Sequence, residues 1–185
     1  EDTDLKGLRL GARAMGHAIA AELTRDPIEL WIRGAPIGDG GDLREELTRE
    51  ADCPHLDIVV RNYTSDRRVL RDELERSSLV LMPSWTEGFG LSALEAMVAG
   101  IPILVSETSG LGQLLREILG ADSDSLVADV RSADAPLSWA AMIATKLNDR
   151  EAAFTASDHL RRTLAAERTW RRAAEAVLVS AQHPT

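Results

Sequence analysis

Between Leu79 and Ser106 the chain passes from an apolar run through a glycine-containing loop and an apolar helical stretch into a second apolar run. Leu79-Val80-Leu81-Met82 is too short for a helix and is closed by Pro83-Ser84, so it reads as a buried strand. Glu87-Gly88-Phe89-Gly90 forms the loop. The stretch from Leu91 to Ala99 is apolar on every face apart from Glu95, which predicts a buried helix. Ile103 to Ser106 is the next strand. A strand, a glycine loop and a helix N-terminus in this order make the geometry of a phosphate site at the carboxyl end of a parallel sheet.

The chemistry of that stretch follows from its residue types. Gly88 and Gly90 let backbone N–H groups approach a ligand closely, and the helix start behind them favours negative charge. Glu95 is the single charged side chain between Gly88 and Ser106. Buried without a partner it would cost several kcal/mol, so a protein group or a ligand is expected to meet it. A structural reading stands beside the functional one: Glu95 hydrogen-bonds neighbouring backbone, and Glu87 merely caps the helix.

The rest of the chain continues the alternation. A helical pattern runs from Leu8 to about Leu23, rich in Ala, Leu and Met, and Pro27 closes it. Ile28 to Arg33 reads as a strand, Asp42 as the cap of a helix reaching about Glu50, and Leu56 to Val60 as a strand. Ser65 or Asp66 caps a helix to about Arg76. After Ser106 comes a second glycine loop through Gly110 and Gly112, then a short helix from Gln113 ending at Gly120 as its C-cap. Leu126-Val127 is a brief strand. Helices follow over Pro136–Leu147, Glu151 to about Ala166, and Thr169 to about Gln182, the last with Trp170, Ala174, Val177, Leu178 and Ala181 on one face. Strands alternating with helices predict a single α/β domain over residues 1–185, a Rossmann-like doubly wound parallel sheet.

Composition narrows the function. The 185 residues are 44% apolar and carry a net charge of −9, which argues against a nucleic-acid surface and against an anionic membrane. No apolar run is long enough to span a bilayer, and Glu1 to Gly7 is acidic and polar, unlike a signal peptide. One cysteine, Cys53, excludes an internal disulfide and fits a reducing, cytoplasmic setting. His17, His55, His159 and His183 have no metal-ligand spacing to one another or to Cys53. The glycines of Gly38 to Gly41 make no G-x-G-x-x-G fingerprint in a strand–turn–helix setting.

Glu87 and Glu95 form an E-x7-E pair, and the whole block PSWTEGFGLSALEAMVAGIPILVS resembles the signature of the retaining family 4 ("group 1") glycosyltransferases of GT-B fold. The resemblance implies the C-terminal, donor-binding half of such an enzyme, holding a nucleotide-diphosphate sugar. On that resemblance Glu87 and the amides of Gly88, Phe89 and Gly90 address the donor sugar. The amides of Gly90 and Leu91 hold the diphosphate with Lys6, whose Lys6-Gly7 pair matches a basic K-G position of the family, and Glu95 takes the ribose hydroxyls. Lys6 read by itself is more often a solvated lysine near a helix start. The loop at Asn62 and Tyr63 would meet the nucleobase; the family usually has glycine near Asn62, and Asn tolerates the left-handed backbone that glycine would supply. Tyr63 either stacks on a base or is an ordinary exposed turn tyrosine. The family often has Glu where Gln113 stands.

The family's preceding strand, with its diphosphate-binding arginine, and the N-terminal acceptor-binding half are absent from this sequence, so that half is the expected partner. No metal or other cofactor is expected. The pair is not a glycosidase couple, whose two carboxylates flank one acetal carbon from separate elements. A rival of another class is a non-catalytic module that binds a nucleotide sugar or mediates assembly inside a larger protein. A flavodoxin-like signalling domain is disfavoured, for want of an acidic cluster after the first strand and of a phospho-acceptor aspartate.

Overall fold

The structure, a computed structural model, describes residues 2–24 and 27–167. The stripe from Trp170 to Ala181 and His183 therefore lie outside the described residues. A four-residue helix α1 (Asp2–Leu5) precedes α2 (Leu8–Ala20), β1 (Glu29–Ala35), α3 (Gly40–Ala51) and β2 (Asp57–Asn62). Then come α4 (Arg67–Glu75), β3 (Val80–Met82), α5 (Leu91–Val98), β4 (Ile103–Ser106) and α6 (Gly110–Leu119). A 3-10 turn (Gly120–Ser125), β5 (Val127–Ala128), α7 (Ala135–Asn148) and α8 (Arg150–Glu167) complete the order.

Every ladder is parallel, as the alternation predicts, but the sheet is in two parts. β1 pairs with β2, from Glu29 opposite Asp57 to Ala35 opposite Asn62 with an irregularity after Arg33. β3, β4 and β5 form the other part in that order. Both parts run the same way. Gly7 and Gly11 at the start of α2 lie against Pro83, just after β3, while Gly16 further along lies against Ala51, the last residue of α3 before β2 begins. The end of β3 and the start of β2 thus sit at opposite ends of one helix.

Helices cover both faces. Along β4, Leu104 joins a core with residues of α2, α3, β2 and α7, while Ile103 and Val105 join one built from α5, α6 and α8. That is the period-2 alternation of a strand buried on two sides. Trp139 of α7 is fully buried in the first core, and its indole N–H donates to the carbonyl of Asp129 at 2.8 Å. Ser157 of α8 fixes the second by donating to the carbonyl of Ile101 at 2.9 Å.

Several boundaries move for identifiable reasons. Asp39, not Asp42, occupies the N-cap of α3, and neither supplies a side-chain cap bond there. Asp66 does cap α4, accepting from the Arg68 N–H at 2.9 Å. The expected second glycine loop is mostly helix: α6 starts at Gly110, because the Ser109 hydroxyl accepts from the Gly112 N–H at 3.0 Å. Gly120 is its C-cap, with φ of 56°. Asn62 is the last residue of β2 and has no left-handed backbone, so it does not replace a glycine in that sense.

Candidate functional site

The site is built at the carboxyl end of β3. Pro83 and Ser84 leave the strand, the chain loops through Glu87, and Gly90 turns it into α5 with φ of 97° at the N-cap. Replacing Gly90 by any L residue would strain that backbone and bring a Cβ to 3.0 Å from the Met82 sulfur. Among the described residues no side chain caps α5, so its first N–H groups are open to a ligand. Glu87 is thereby excluded as the helix cap. Gly88 has no atom within 4 Å of its missing Cβ and ordinary φ, so of the two glycines only Gly90 is required by the fold itself.

Lys6 and Glu87 meet here from opposite ends of the sequence: Lys6 Nζ lies 2.7 Å from Glu87 Oε2. The lysine side chain is half exposed and the carboxylate is 18% exposed, so the pair is accessible and screened. Lys6 is held in place by its neighbours. The Trp85 N–H donates to the Leu5 carbonyl at 2.9 Å, and Gly7, with φ of 67°, presses so closely on Pro83 that a Cβ would stand 1.8 Å from its carbonyl oxygen. Lys6, Glu87, Phe89, Gly90 and Leu91 all line one cleft of about 1560 Å³. The cation, the carboxylate, the end of the glycine loop and the open helix start thus share one cleft.

The remaining expected residues stand apart. Glu95 is exposed on α5, one turn beyond Leu91 on the same side, and does not line the cleft. Among the described residues its carboxylate forms no hydrogen bond or ion pair. The expectation of a helix buried on every face is therefore corrected: Leu91, Ser92, Glu95, Val98 and Ala99 form a solvent face, and water replaces the partner that burial would have demanded. Among the described residues its carboxylate accepts from no backbone N–H either, which removes its structural reading. Asn62 and Tyr63 lie at the end of β2. The Tyr63 N–H donates to the Ala35 carbonyl at 2.9 Å, and its side chain is 72% exposed. Among the described residues no group of His, Cys, Asp and Glu is arranged to hold a metal ion.

A set of residues without charge or motif holds the glycine loop. The Gly110 N–H donates to the Gly88 carbonyl at 3.0 Å and the Leu111 N–H to the Phe89 carbonyl at 2.8 Å, so the first turn of α6 is stapled to the loop. Glu87 and Ser109 form a single parallel bridge beside these bonds. Below them the Thr108 N–H donates to Ser106 Oγ at 3.0 Å, the two hydroxyls lie 2.6 Å apart, and Thr108 Oγ1 donates to the Ser84 carbonyl at 3.0 Å. The one signal of this clamp in the sequence is Ser109 as an N-cap ahead of Gly112.

Residues 1–177 match the model of a family described as family 4 glycosyltransferases in conflict systems. The chain belongs to this family. It is 34% identical over 109 residues to a D-inositol 3-phosphate glycosyltransferase of Streptomyces bingchenggensis, covering 55% of this chain and 24% of that protein. It is 35% identical over 89 residues to a GDP-mannose-dependent alpha-(1-6)-phosphatidylinositol dimannoside mannosyltransferase of Mycobacterium tuberculosis, covering 48% and 23%. Among solved structures, sucrose-phosphate synthase from Thermosynechococcus elongatus superposes with a TM-score of 0.50 at 24% identity, covering 89% of this chain and 43% of that one. That likeness supports the fold, an α/β unit with parallel strands similar to part of a GT-B glycosyltransferase. This family 4-like chain spans about a quarter of the length of those two curated relatives.

Proposed function

We propose that this family 4-like chain is a donor-binding unit that holds a nucleotide-diphosphate sugar for retaining glycosyl transfer, working with an acceptor-binding half. The observation that carries the reading is the Lys6–Glu87 contact of 2.7 Å at the mouth of the glycine loop that heads α5. A diphosphate placed against the free N–H groups of Gly90 and Leu91 takes Lys6 as its cation, and Glu87 is released toward the sugar hydroxyls. Phe89 and Leu91 offer apolar contact beside them. Asn62 and Tyr63 supply the base end, and Glu95 receives the ribose hydroxyls once ligand reaches across the rim. The stabilisation is by fixed dipoles and one lysine, with no metal, and the setting is cytoplasmic.

Calorimetric titration of UDP and GDP, with and without sugar, tests the reading. Either diphosphate should bind, and Lys6→Met should weaken it by roughly ten- to a hundredfold, the worth of one charge-assisted hydrogen bond of about 1.5–3 kcal/mol. Equal affinity in wild type and Lys6→Met, or no binding of any nucleoside diphosphate, refutes it. A second reading is a non-catalytic nucleotide-sugar-binding or assembly module in a larger protein. The family's description in conflict systems is what favours it. Both readings predict binding. Robust transfer to an acceptor by the 185-residue chain alone would refute the need for a further half.

A further inference from the structure

One peptide unit beyond the end of β3 is gripped from both sides. The Ser84 carbonyl accepts from Thr108 Oγ1 at 3.0 Å, and the N–H of the same peptide, that of Trp85, donates to the Leu5 carbonyl at 2.9 Å. A trans peptide points these two groups in opposite directions, so the unit bridges the residues that follow β4 to the turn that carries Lys6. The direction of each bond is fixed. A carbonyl only accepts, so the single Thr108 hydroxyl proton goes to Ser84, and Ser106 Oγ is the donor in the 2.6 Å contact between the two hydroxyls. Ser106 Oγ in turn accepts from the Thr108 N–H at 3.0 Å. Ser84 and Ser106 are both buried, so the chain of bonds is closed to water at its inner end.

We propose that Thr108 is a positioning residue for the donor diphosphate, acting through the Ser84–Trp85 peptide on Lys6 without touching the ligand, and this rests on the reading of Lys6 as the cation of that diphosphate. Among the described residues the Trp85–Leu5 bond is the one backbone hydrogen bond between the α1–α2 turn and the β3–α5 loop. Side-chain packing adds little beside it, since Leu5 and Trp85 are each 47% exposed. Gly7 presses on Pro83 but makes no directional bond there.

Leu5 immediately precedes Lys6, and Trp85 stands just ahead of Glu87, so the gripped peptide sets the separation of the two chains that carry the ion pair. Without the Thr108 hydroxyl the Ser84 carbonyl is free to swing, and rotation of that peptide carries the Trp85 N–H off Leu5. The loop amides depend on it less. Gly88 and Phe89 have their own bonds, from the Gly110 and Leu111 N–H groups.

Thr108→Val keeps the side chain's shape and removes the hydroxyl, whereas Thr108→Ser keeps the hydroxyl. By amide hydrogen exchange, Trp85 should exchange tenfold or more faster in Thr108→Val and return toward wild type in Thr108→Ser. The Val80 N–H, bonded to the Pro102 carbonyl at the other end of β3, should stay unchanged in both. Calorimetry with whichever of UDP and GDP binds tighter should show affinity lowered fivefold or more in Thr108→Val and within twofold of wild type in Thr108→Ser. Added to Lys6→Met, Thr108→Val should lower affinity by less than a further twofold, because the cation it positions is gone. An undiminished loss in the Lys6→Met background puts the effect on the glycine loop and overturns the proposal. Wild-type affinity or wild-type Trp85 exchange in Thr108→Val overturns it as well. Failure of the unaltered chain to bind either diphosphate refutes the donor reading and this proposal together, whereas binding with additive losses refutes this proposal alone.

Discussion

Gly110→Ala separates the clamp on the glycine loop from ordinary helix energetics. Gly110 is the first residue of α6 and has ordinary helical backbone, so alanine should favour the helix by up to about 1 kcal/mol. The new Cβ, however, would stand 2.6 Å from the Gly88 carbonyl oxygen, 3.1 Å from Phe89 Cα and 3.3 Å from Phe89 Cδ2. Relief to ordinary contact moves the loop by about 0.8 Å and stretches the two backbone bonds that staple it, each worth about 1 kcal/mol. Overpacking of this kind costs about 1–3 kcal/mol, which exceeds the propensity gain. We expect a net loss of roughly 1–2 kcal/mol by urea denaturation.

Gly41→Ala is the matched control. Gly41 is also in the first turn of a helix, with nothing within 4 Å of its missing Cβ, and should be neutral or stabilising by up to about 1 kcal/mol. If the loop holds a donor, Gly110→Ala should also weaken nucleoside diphosphate binding by tenfold or more, since sub-ångström misplacement of such amides is costly. Gly110→Ala as stable as Gly41→Ala would refute the clamp. Lost stability with unchanged affinity would instead detach the clamp from the donor site.

Further outcomes follow from single side chains. Glu95→Gln should leave the urea midpoint within about 0.5 kcal/mol of wild type, because the carboxylate is exposed and without a partner among the described residues. The same change should weaken nucleotide binding by roughly ten- to a hundredfold if Glu95 receives ribose hydroxyls, and unchanged affinity would remove it from the donor site. Glu87→Gln should cost no more than about 1 kcal/mol, as an accessible ion pair contributes little; a loss of several kcal/mol would make the pair structural. The Asp129 carboxylate accepts from the Arg131 and Ser132 N–H groups at 2.7 and 3.0 Å, which holds it below the usual aspartate range, against a smaller opposing effect of burial. A depressed carboxylate contributes stability above its unfolded pKa that is lost as pH falls through the folded one. Asp129→Asn should therefore flatten the decline of stability below about pH 4, and identical acid profiles would refute its part.

Much of this architecture is legible because strand and helix periods differ. β4 sits where the apolar run Ile103 to Ser106 places it, and α7 begins beside Pro136, which tolerates the first turn. The misreadings have physical causes. Leu91, Val98 and Ala99 are apolar yet exposed, and an apolar residue on a surface leaves no mark in a hydrophobicity pattern. Gly110 and Gly112 look like loop residues by propensity. They stand in a helix because only glycine lets α6 approach the Gly88 and Ser106 carbonyls so closely. The Lys6–Glu87 contact joins residues 81 positions apart, and no local spacing could show it.

The division of the sheet was the least legible feature, and it bears directly on the site. A parallel sheet needs every internal strand paired on both edges, so its continuity depends on strands wherever in the polypeptide they arise. β1 and β3 each read correctly as strands, while the break between the two parts of the sheet follows from neither run. Lys6 belongs to the turn between α1 and α2, which is anchored at Pro83 and Trp85 on the margin of the cleft. Lys6 is therefore held at the cleft through the packing of Gly7 on Pro83 and the Trp85–Leu5 backbone bond more than through its own ion pair to Glu87, which is accessible and screened.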